Sequence, residues 1–339
     1  MVNHILMLCA GLIAALSGAS GAMAQEKVTF ASGTRSVSYV TYYAAQEMGY
    51  FAEVGLQPEM ILAGSGPKAM AAVASGDVDV VIRAPSEIIK SREKGLDVKV
   101  FGALVTEMGA NVVFSKKWAK DHQITEDSTT EQKLKALKGI RLAVNGPGSI
   151  TDAVARYFVG RAGLNPDRDT MLISIPNQSG SMMLAMQQGR IDGFVVSSPD
   201  TDIAAKEQGA VIVFNNSAGK VPELAGYFYI GLGAASKFLK TEKARKVARA
   251  FQMTLDAIQD PARTETVRDK VRASQFTNVP ADVFATVWKN VVIASPKKLE
   301  MNDGMFEKLG MLENVLSNQI DVSMARSSYT NELANAVQN

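Results

Sequence analysis

Residues 36–60 read SVSYVTYYAAQEMGYFAEVGLQPEM and have the pattern of a helix followed by a strand. Ser36 or Ser38 can cap the start of the helix by accepting a backbone N–H bond, and Gly49 can adopt the left-handed conformation just past its end. A strand is predicted over 59–62. With the short apolar strand before it, this stretch forms a first βαβ unit, and its helix start is a place where a small anion can bind.

Strands and helices alternate through the following sequence, and the same order then starts again. The chain contains 339 residues, more than the roughly 250–300 at which a single core stops growing, so two lobes are expected. Alternation of strands with short helices predicts α/β sheets with right-handed crossovers. The predicted strands cover 28–31, 59–62, 78–82 and 98–105 and, after a polar linker, 141–144, 171–175, 191–196 and 210–214.

Two stretches of the chain match each other at a fixed spacing. Gly76 and Gly189 are 113 residues apart, and so are Asp79 and Asp192 (189 − 76 and 192 − 79). The spacing predicts two lobes of one plan. Because ligands bind outside the carboxyl ends of parallel strands, the strand-to-helix loops are expected to line one cleft that holds an anionic or polar ligand. Three such loops correspond at the same spacing: Ser32 with Asn145, Gly64 with Asn177, and Ala84 with Ser197.

The first 24 residues differ from the rest of the chain. They contain no Lys, Arg, Asp or Glu, and an apolar run from about residue 5 to 16 precedes Ala22-Met23-Ala24, an A-x-A cleavage pattern. This pattern predicts a secretory signal peptide over 1–24 that is cleaved near Ala24. A membrane anchor is the alternative, but the run is shorter than the roughly 20 residues that a spanning helix needs.

Composition argues against several classes of function. The net charge of +2, from 36 Lys+Arg and 34 Asp+Glu, gives no nucleic-acid footprint. The single cysteine, Cys9, falls inside the predicted signal peptide, and the mature chain would keep one histidine, His122, in a polar segment. Disulfides, thiolate nucleophiles and cysteine-ligated zinc are therefore excluded from the mature chain. We expect no catalytic residues, no metal site and no cofactor.

Several short motifs together carry a family resemblance. They are AAQEMGYF at 44–51, GDVD at 76–79, GPGS at 146–149 and GRID at 189–192. With these motifs the chain resembles, over about residues 27–260, the nitrate/sulfonate/taurine type of ABC-transporter substrate-binding proteins. The resemblance implies an α/β, two-lobe type II periplasmic binding protein fold, in which each lobe is a mostly parallel sheet flanked by helices and two hinge strands join the lobes.

The resemblance also implies where the chain passes between the lobes. The crossings are expected near Asn111–Ser115 and Tyr227–Leu232, two apolar segments that have the pattern of strands. Lobe 1 would then comprise residues 27–110 and 229–339, and lobe 2 would comprise residues 111–228. The region after residue 236 has a helical pattern and is expected to pack back on lobe 1.

The resemblance implies that the protein binds a solute and catalyses no reaction on it. A monomeric periplasmic protein would close its lobes around a small ligand and deliver it to a membrane permease driven by a cytoplasmic ATPase. Two alternatives stay open at this point. The first is an enzyme on the same scaffold, similar to thiamine-precursor synthases or to a desulfinase, which the lack of a mature cysteine disfavours. The second is a sensory domain that acts on a membrane kinase.

The ligand itself is not fixed by the sequence. Nitrate, sulfonates, bicarbonate, pyrimidine precursors and aromatic carboxylates all fit the resemblance. Arg83, after a buried strand, could pair with an anion through two hydrogen bonds, and Tyr39 with the methionines near Met183 could contact an apolar body. These residues favour an organic anion, although Arg83 could also be an ordinary strand-end arginine, and Arg35 has the same two interpretations. The predicted ligand contacts are Thr34, Ser38, Tyr39, Ser65, Arg83 and Ser86 in lobe 1 and Asn145, Ser149, Asn177, Ser179 and Ser197 in lobe 2.

Overall fold

The computed structural model describes residues 25–32, 36–63, 66–176, 180–316 and 320–338. The predicted signal peptide lies outside these residues. The strands of the described chain are β1 (Glu26–Ser32), β2 (Leu56–Leu62), β3 (Val80–Arg83), β4 (Val98–Val105), β5 (Ala110–Phe114), β6 (Arg141–Val144), β7 (Met171–Ser174), β8 (Gly193–Ser197), β9 (Val211–Phe214) and β10 (Ile230–Ala235).

Helices cover much of the remaining chain, and short 3₁₀ helices lie at Val37–Tyr39 and Asn216–Ala218. The α-helices are α1 (Val40–Glu47), α2 (Tyr50–Glu53), α3 (Gly66–Ser75), α4 (Pro85–Glu93), α5 (Lys116–Asp121), α6 (Thr130–Lys135), α7 (Ile150–Arg161), α8 (Ser181–Gln187), α9 (Asp200–Gln208), α10 (Ser236–Leu239), α11 (Glu242–Gln259), α12 (Thr264–Gln275), α13 (Ala281–Ala294), α14 (Asp303–Val315), α15 (Val322–Ala325) and α16 (Glu332–Ala336).

The opening stretch folds as its residues predict. Ser36 caps the first 3₁₀ turn by accepting the backbone N–H of Ser38, and α1 follows directly. Gly49 has a φ of 78°, the left-handed conformation that glycine adopts without strain, and it ends α1 and begins α2. The buried rings of this unit pack against the long helix α11, and the ring centroid of Phe30 lies 5.9 Å from that of Phe251. This unit therefore forms the aromatic core of lobe 1.

Two five-stranded sheets organise the molecule, with strand orders β2-β1-β3-β10-β4 and β7-β6-β8-β5-β9. In the first sheet β1 runs parallel to β2 and β3, whereas β10 is antiparallel to both of its neighbours. The second sheet repeats this pattern, with β5 as the antiparallel strand. Each sheet is thus mixed, with one reversed strand among otherwise parallel ones, and the predicted two-lobe α/β fold is confirmed. We refer to the units around the first and second sheets as lobe 1 and lobe 2.

The reversed strand of each sheet lies next to a passage between the lobes. Strand β5 follows β4 directly in the chain but belongs to the second sheet, and β10 follows the elements of lobe 2 but belongs to the first. The two crossings therefore run over 106–109 and 215–229. Both reversed strands overlap the predicted hinge segments, while the predicted lobe boundaries at 110/111 and 228/229 stay a prediction.

Two pairs of corresponding strands follow the 113-residue spacing. Strands β3 and β8 begin at Val80 and Gly193, and β4 and β9 begin at Val98 and Val211. These strands also occupy equivalent places in the two sheet orders. The pairs β1/β6 and β2/β7 begin 115 residues apart (141 − 26 and 171 − 56), so the 113-residue spacing holds for part of the repeat.

The C-terminal helices contact both lobes, which extends the expectation that they pack on lobe 1. Helix α11 packs on α1 and α2, whereas α13 packs on α9 and α14 packs on α7. An ion pair between Lys206 and Asp282 joins α9 to α13. Helix α13 buries side chains along most of its length, so its apolar surface reaches elements of both lobes. Within the described chain, no helix has the length and apolar character needed to cross a membrane.

Candidate ligand-binding cleft

A cleft of about 1340 Å³ lies where the strand-to-helix loops of both lobes converge. It is lined from lobe 1 by the β3–α4 loop and the start of α1, and from lobe 2 by the β6–α7 and β8–α9 loops. Ligand pockets usually enclose about 300–1,000 Å³, so this cleft is larger than a small ligand needs. A bound ligand would be enclosed only if the lobes approached each other.

The predicted ligand contacts that the structure describes all line this cleft. They are Ser38, Tyr39, Arg83, Ser86, Asn145, Ser149 and Ser197. The other predicted contacts, Thr34, Ser65, Asn177 and Ser179, lie outside the described residues, and so does Arg35. The geometry brings the described residues together from both lobes, while their contact with a ligand stays a prediction.

Arg83 ends β3 and is held by the chain itself. Its Nε lies 2.9 Å from Oε2 of Glu87, and one terminal nitrogen lies 2.6 Å from Oε1 of the same carboxylate. The Tyr39 hydroxyl also hydrogen-bonds to the guanidinium. Burial acts to lower the pKa of Arg83, but the charges and hydrogen bonds of Glu87 and Tyr39 together outweigh this effect, and the pKa lies above its usual value. The two-bond pairing that the sequence predicts for a ligand is thus made with Glu87.

Lys90, one turn after Glu87 on α4, is the next basic side chain along this wall. It forms an ion pair with Glu313 of α14, whose side chain is 7% exposed. Arg83 and Lys90 both line the cleft, and each is neutralised by a carboxylate that lines it too. The lobe 1 wall therefore contributes polar groups but no net charge from these four side chains.

The start of α7 carries its own carboxylate. Ser149 accepts the N–H of Asp152 at 3.2 Å, and Asp152 accepts the N–H of Gly148 at 2.8 Å. Asp152 also pairs with Arg156 at 2.9 Å. The sequence predicts that free amides at such a helix start bind a ligand anion, yet at α7 the chain's own Asp152 occupies the amide of Gly148.

Asp200 begins α9 and lines the cleft from lobe 2. The backbone N–H of Gly180 donates to its carboxylate. Burial raises the pKa of Asp200 above its usual value, and the Gly180 N–H only partly opposes this effect. Two residues later, Asp202 is buried and accepts the hydroxyls of Ser198 and Thr201 at 2.6 and 2.9 Å. Across the described ranges, neither carboxylate forms an ion pair.

Tyr229 is a cleft residue that sequence reasoning did not single out. Its hydroxyl lies 3.1 Å from Oγ of Ser197 in lobe 2, and it also hydrogen-bonds to Ser38 in lobe 1. Its ring packs against Gly109 of the other crossing, where an added Cβ would overlap it. Tyr229 therefore connects both crossings with one serine from each lobe. The apolar pattern of 227–232 predicts the hinge strand, but it does not distinguish this hydroxyl.

The C-terminal region adds further cleft residues, in the loop from Gln275 to Val279 and at Glu313. Sequence reasoning missed these residues because no motif links them to the strand-to-helix loops. His122 stacks on Trp118, with ring centroids 4.2 Å apart, and is not among the cleft residues. The residues that the structure describes include no group of three or more His, Cys, Asp or Glu side chains placed to hold a metal ion.

Comparison with solved structures defines the class of fold. The alkanesulfonate-binding protein SsuA from Xanthomonas axonopodis pv. citri, bound to MOPS, matches with a TM-score of 0.65 at 13% identity, over 91% of this chain and 98% of that one. The periplasmic nitrate-binding protein NrtA from Synechocystis PCC 6803 matches with a TM-score of 0.65 at 14% identity, over 93% and 89%. The fold is therefore that of the two-lobe periplasmic binding proteins.

The family follows from the sequence match. The NMT1-like family model matches residues 23–272, and the chain belongs to that family. The resemblance to binding proteins of the nitrate/sulfonate type is thereby confirmed. A curated relative, the bicarbonate transport ATP-binding protein CmpC of Synechocystis sp. (strain ATCC 27184 / PCC 6803 / Kazusa), is 27% identical over 190 residues, which are 52% of this chain. The match covers 28% of that relative's length.

Proposed function

We propose that this protein is the periplasmic solute-binding component of an ABC importer. It closes its two lobes around a small polar organic ligand and delivers it to a membrane permease with a cytoplasmic ATPase. The observation that carries the proposal is the cleft of about 1340 Å³, lined by equivalent loops of two lobes that two chain crossings connect. Lobes joined in this way can close by rotation about the crossings, which absorb the change in backbone angles.

The chemistry of the cleft supports binding rather than catalysis. Its walls present hydroxyls, side-chain amides, two ion pairs and the Asp200 carboxylate, and His122 lies elsewhere. The names of the matched proteins, which include sulfonate- and nitrate-binding proteins and a bicarbonate transport protein, support an import role. The predicted signal peptide supports a periplasmic location, and we expect the protein to act as a monomer.

The ligand's charge has less support than its size. The sequence favours an organic anion because of Arg83, but the Arg83 guanidinium is paired with Glu87 and Lys90 is paired with Glu313. We therefore propose a small organic ligand with polar groups. These two side chains do not by themselves support an anionic charge on the ligand.

Small-angle scattering tests the closing mechanism. A compound that raises the melting temperature binds the folded state, because stability rises as RT ln(1 + [L]/Kd). Such a compound should also reduce the radius of gyration of the purified mature protein, since ligand contacts in the closed form shift the population toward it. Compounds that leave the melting temperature unchanged are the control and should leave the radius unchanged. Stabilisation without compaction would contradict closure.

A further inference from the structure

Both lobes place a carboxylate in the first turn of the helix that follows the third strand of the repeat. Glu87 in α4 and Asp200 in α9 are 113 residues apart, and both line the cleft. Glu87 is the third residue of α4 and Asp200 is the first residue of α9. The surroundings of these two acids, at the same end of corresponding helices, can therefore be compared.

The basic side chains of lobe 1 have no equivalents in lobe 2. Arg83, which pairs with Glu87, corresponds to Val196, and Lys90 corresponds to Ile203, each at the 113-residue spacing. All four side chains line the cleft. Among the described cleft residues of lobe 2 there is thus no basic side chain to neutralise Asp200.

The charges that line the cleft do not balance. The pairs Arg83–Glu87 and Lys90–Glu313 are each neutral, so Asp200 leaves the described lining with one uncompensated negative charge. A free inorganic anion in this cleft would meet that charge at close range. Like charges at close range repel more strongly as water is excluded by closure.

Desolvation makes the Asp200 carboxylate a group that needs a partner. Taking a carboxylate out of water is costly unless it is paired or well hydrogen-bonded, and closure would bury Asp200 further. Its described protein contact is a single backbone N–H, from Gly180. On the same lobe, the side-chain oxygen of Asn145 is buried and accepts no hydrogen bond from the described residues. Both groups are acceptors, so they match a ligand that donates.

The wall beside Asp200 is apolar. Met183, Leu184 and Ile203 line the cleft, and Leu184 is 51% exposed, which is unusual for a large apolar side chain. This surface fits the hydrocarbon part of an organic ligand. It offers nothing to a small inorganic ion.

We propose that the ligand carries a cationic N–H group, an ammonium, amidinium or guanidinium, which binds the Asp200 carboxylate while its apolar body packs on Met183, Leu184 and Ile203. The inference rests on the proposed solute-binding function and names the chemical class of the solute. In the closed state the cation supplies to lobe 2 the positive charge that Arg83 supplies to lobe 1.

A matched set of probes tests the charge. Benzamidine, benzamide and benzoate share a planar ring and differ in carrying a positive, zero or negative charge. We expect calorimetry and thermal shift to rank benzamidine first with the wild-type protein. A charge-assisted hydrogen bond contributes about 1.5–3 kcal/mol, so Asp200→Asn should weaken benzamidine binding about 10- to 100-fold and leave benzamide nearly unchanged.

Glu207→Gln is the control, because Glu207 is exposed near the other end of α9, is not among the cleft residues and carries the same charge. It should leave all three affinities unchanged. Leu184→Arg is a second variant, which adds a positive charge to lobe 2 at a cleft position whose side chain is 51% exposed. It should weaken benzamidine more than benzoate while keeping Asp200, so the test does not depend on one variant folding.

The outcomes separate this inference from the proposed function. No binding of benzamidine at millimolar concentration, or equal binding to wild type and Asp200→Asn, overturns the inference. If nitrate or benzoate stabilises and compacts the protein instead, the solute-binding function stands and the charge assignment falls. If benzamidine binds through Asp200 without compaction, the charge assignment stands and the closing mechanism falls.

Discussion

The two lobes have the same architecture and different charges. Both sheets show the same strand order, with a reversed strand in the fourth place. In lobe 1 the acid at the cleft, Glu87, is neutralised by Arg83, whereas in lobe 2 Asp200 has no basic side chain among the described cleft residues of its lobe. Positions that repeat between the lobes thus hold the fold together, whereas the charged residues at the cleft differ between the lobes.

Residues that are identical in the two lobes have structural contacts. Asp79 accepts the backbone N–H of Thr29 at 2.9 Å, and Asp192 accepts the backbone N–H of Arg141 at 3.1 Å. Each carboxylate thus connects the residue just before β3 or β8 to the first strand of the repeat, which is β1 in lobe 1 and β6 in lobe 2. Asp192 also binds the Arg141 guanidinium, and although burial acts to raise its pKa, these hydrogen bonds keep that pKa below its usual value.

The largest expected effect follows from these shared aspartates. Asp79→Ala and Asp192→Ala each leave a part-buried backbone donor without its acceptor, so each should lower the free energy of unfolding by about 1–3 kcal/mol. Chemical denaturation of the ligand-free protein measures the loss. The matched control is Asp77→Ala, an exposed aspartate of the same turn, which should change the free energy by less than about 0.5 kcal/mol. A loss in one lobe only would show that the repeat does not preserve this role.

A smaller expected effect is the coupling energy between Arg83 and Glu87 in lobe 1, compared with that between Val196 and Asp200 in lobe 2. Arg83 is 13% exposed in its side chain, so its pairing with Glu87 is only partly screened by water. A double-mutant cycle with Arg83→Val and Glu87→Gln should give a coupling energy of about 1–2 kcal/mol. The equivalent cycle in lobe 2, Val196→Ala with Asp200→Asn, should give a coupling close to zero, because valine carries no charge.

Equal coupling energies in the two lobes would show that the lobes do not differ in charge pairing at the cleft. If the lobe 1 coupling were also near zero, the Arg83–Glu87 pair would contribute nothing in solution. Arg83 would then be available to an anionic ligand, as the sequence predicts. Denaturation midpoints of the single and double variants decide between the two results.

Local patterns in the sequence predicted most of the scaffold. The strands at β4 and β6 match their predicted ranges, and the 113-residue spacing identified the loops that converge on the cleft. These features depend on neighbouring residues and on hydrophobic pattern, which a single sequence contains. The described part of the predicted contact list lines the cleft for the same reason, since strand ends converge in any such sheet.

Long-range pairing was not predictable in this way. Glu313 reaches Lys90 from a helix 223 residues further along the chain, and Tyr229 meets Ser197 across the second crossing. Glu87 lies only four residues after Arg83, but Arg83 ends a strand and Glu87 lies in the next helix. The i,i+4 rule for pairs within one helix therefore did not predict their contact. The neutralisation of Lys90 therefore depends on a long-range contact that no local pattern encodes.

The smallest expected effect concerns the cost of keeping Asp200 charged without a ligand. Its pKa in the folded protein lies above the usual 3.8, so the ionised carboxylate destabilises the ligand-free fold at neutral pH. The penalty is complete above the folded pKa and disappears below about 3.8, where the folded and unfolded states are both protonated. Asp200→Asn should therefore raise the free energy of unfolding at pH 7, by less than the changes above, and leave it nearly unchanged near pH 3.5.

Chemical denaturation of the ligand-free variants at the two pH values measures this difference, with Glu207→Gln as the control that should change the free energy by less than about 0.5 kcal/mol at both. A variant that is less stable at pH 7 would mean that the carboxylate already has a cationic partner in the ligand-free protein. In that case lobe 2 would be neutralised as lobe 1 is, and the difference between the lobes would disappear. A gain in the free energy of unfolding at pH 7 that disappears in acid is expected for a carboxylate whose counter-charge comes only from a ligand.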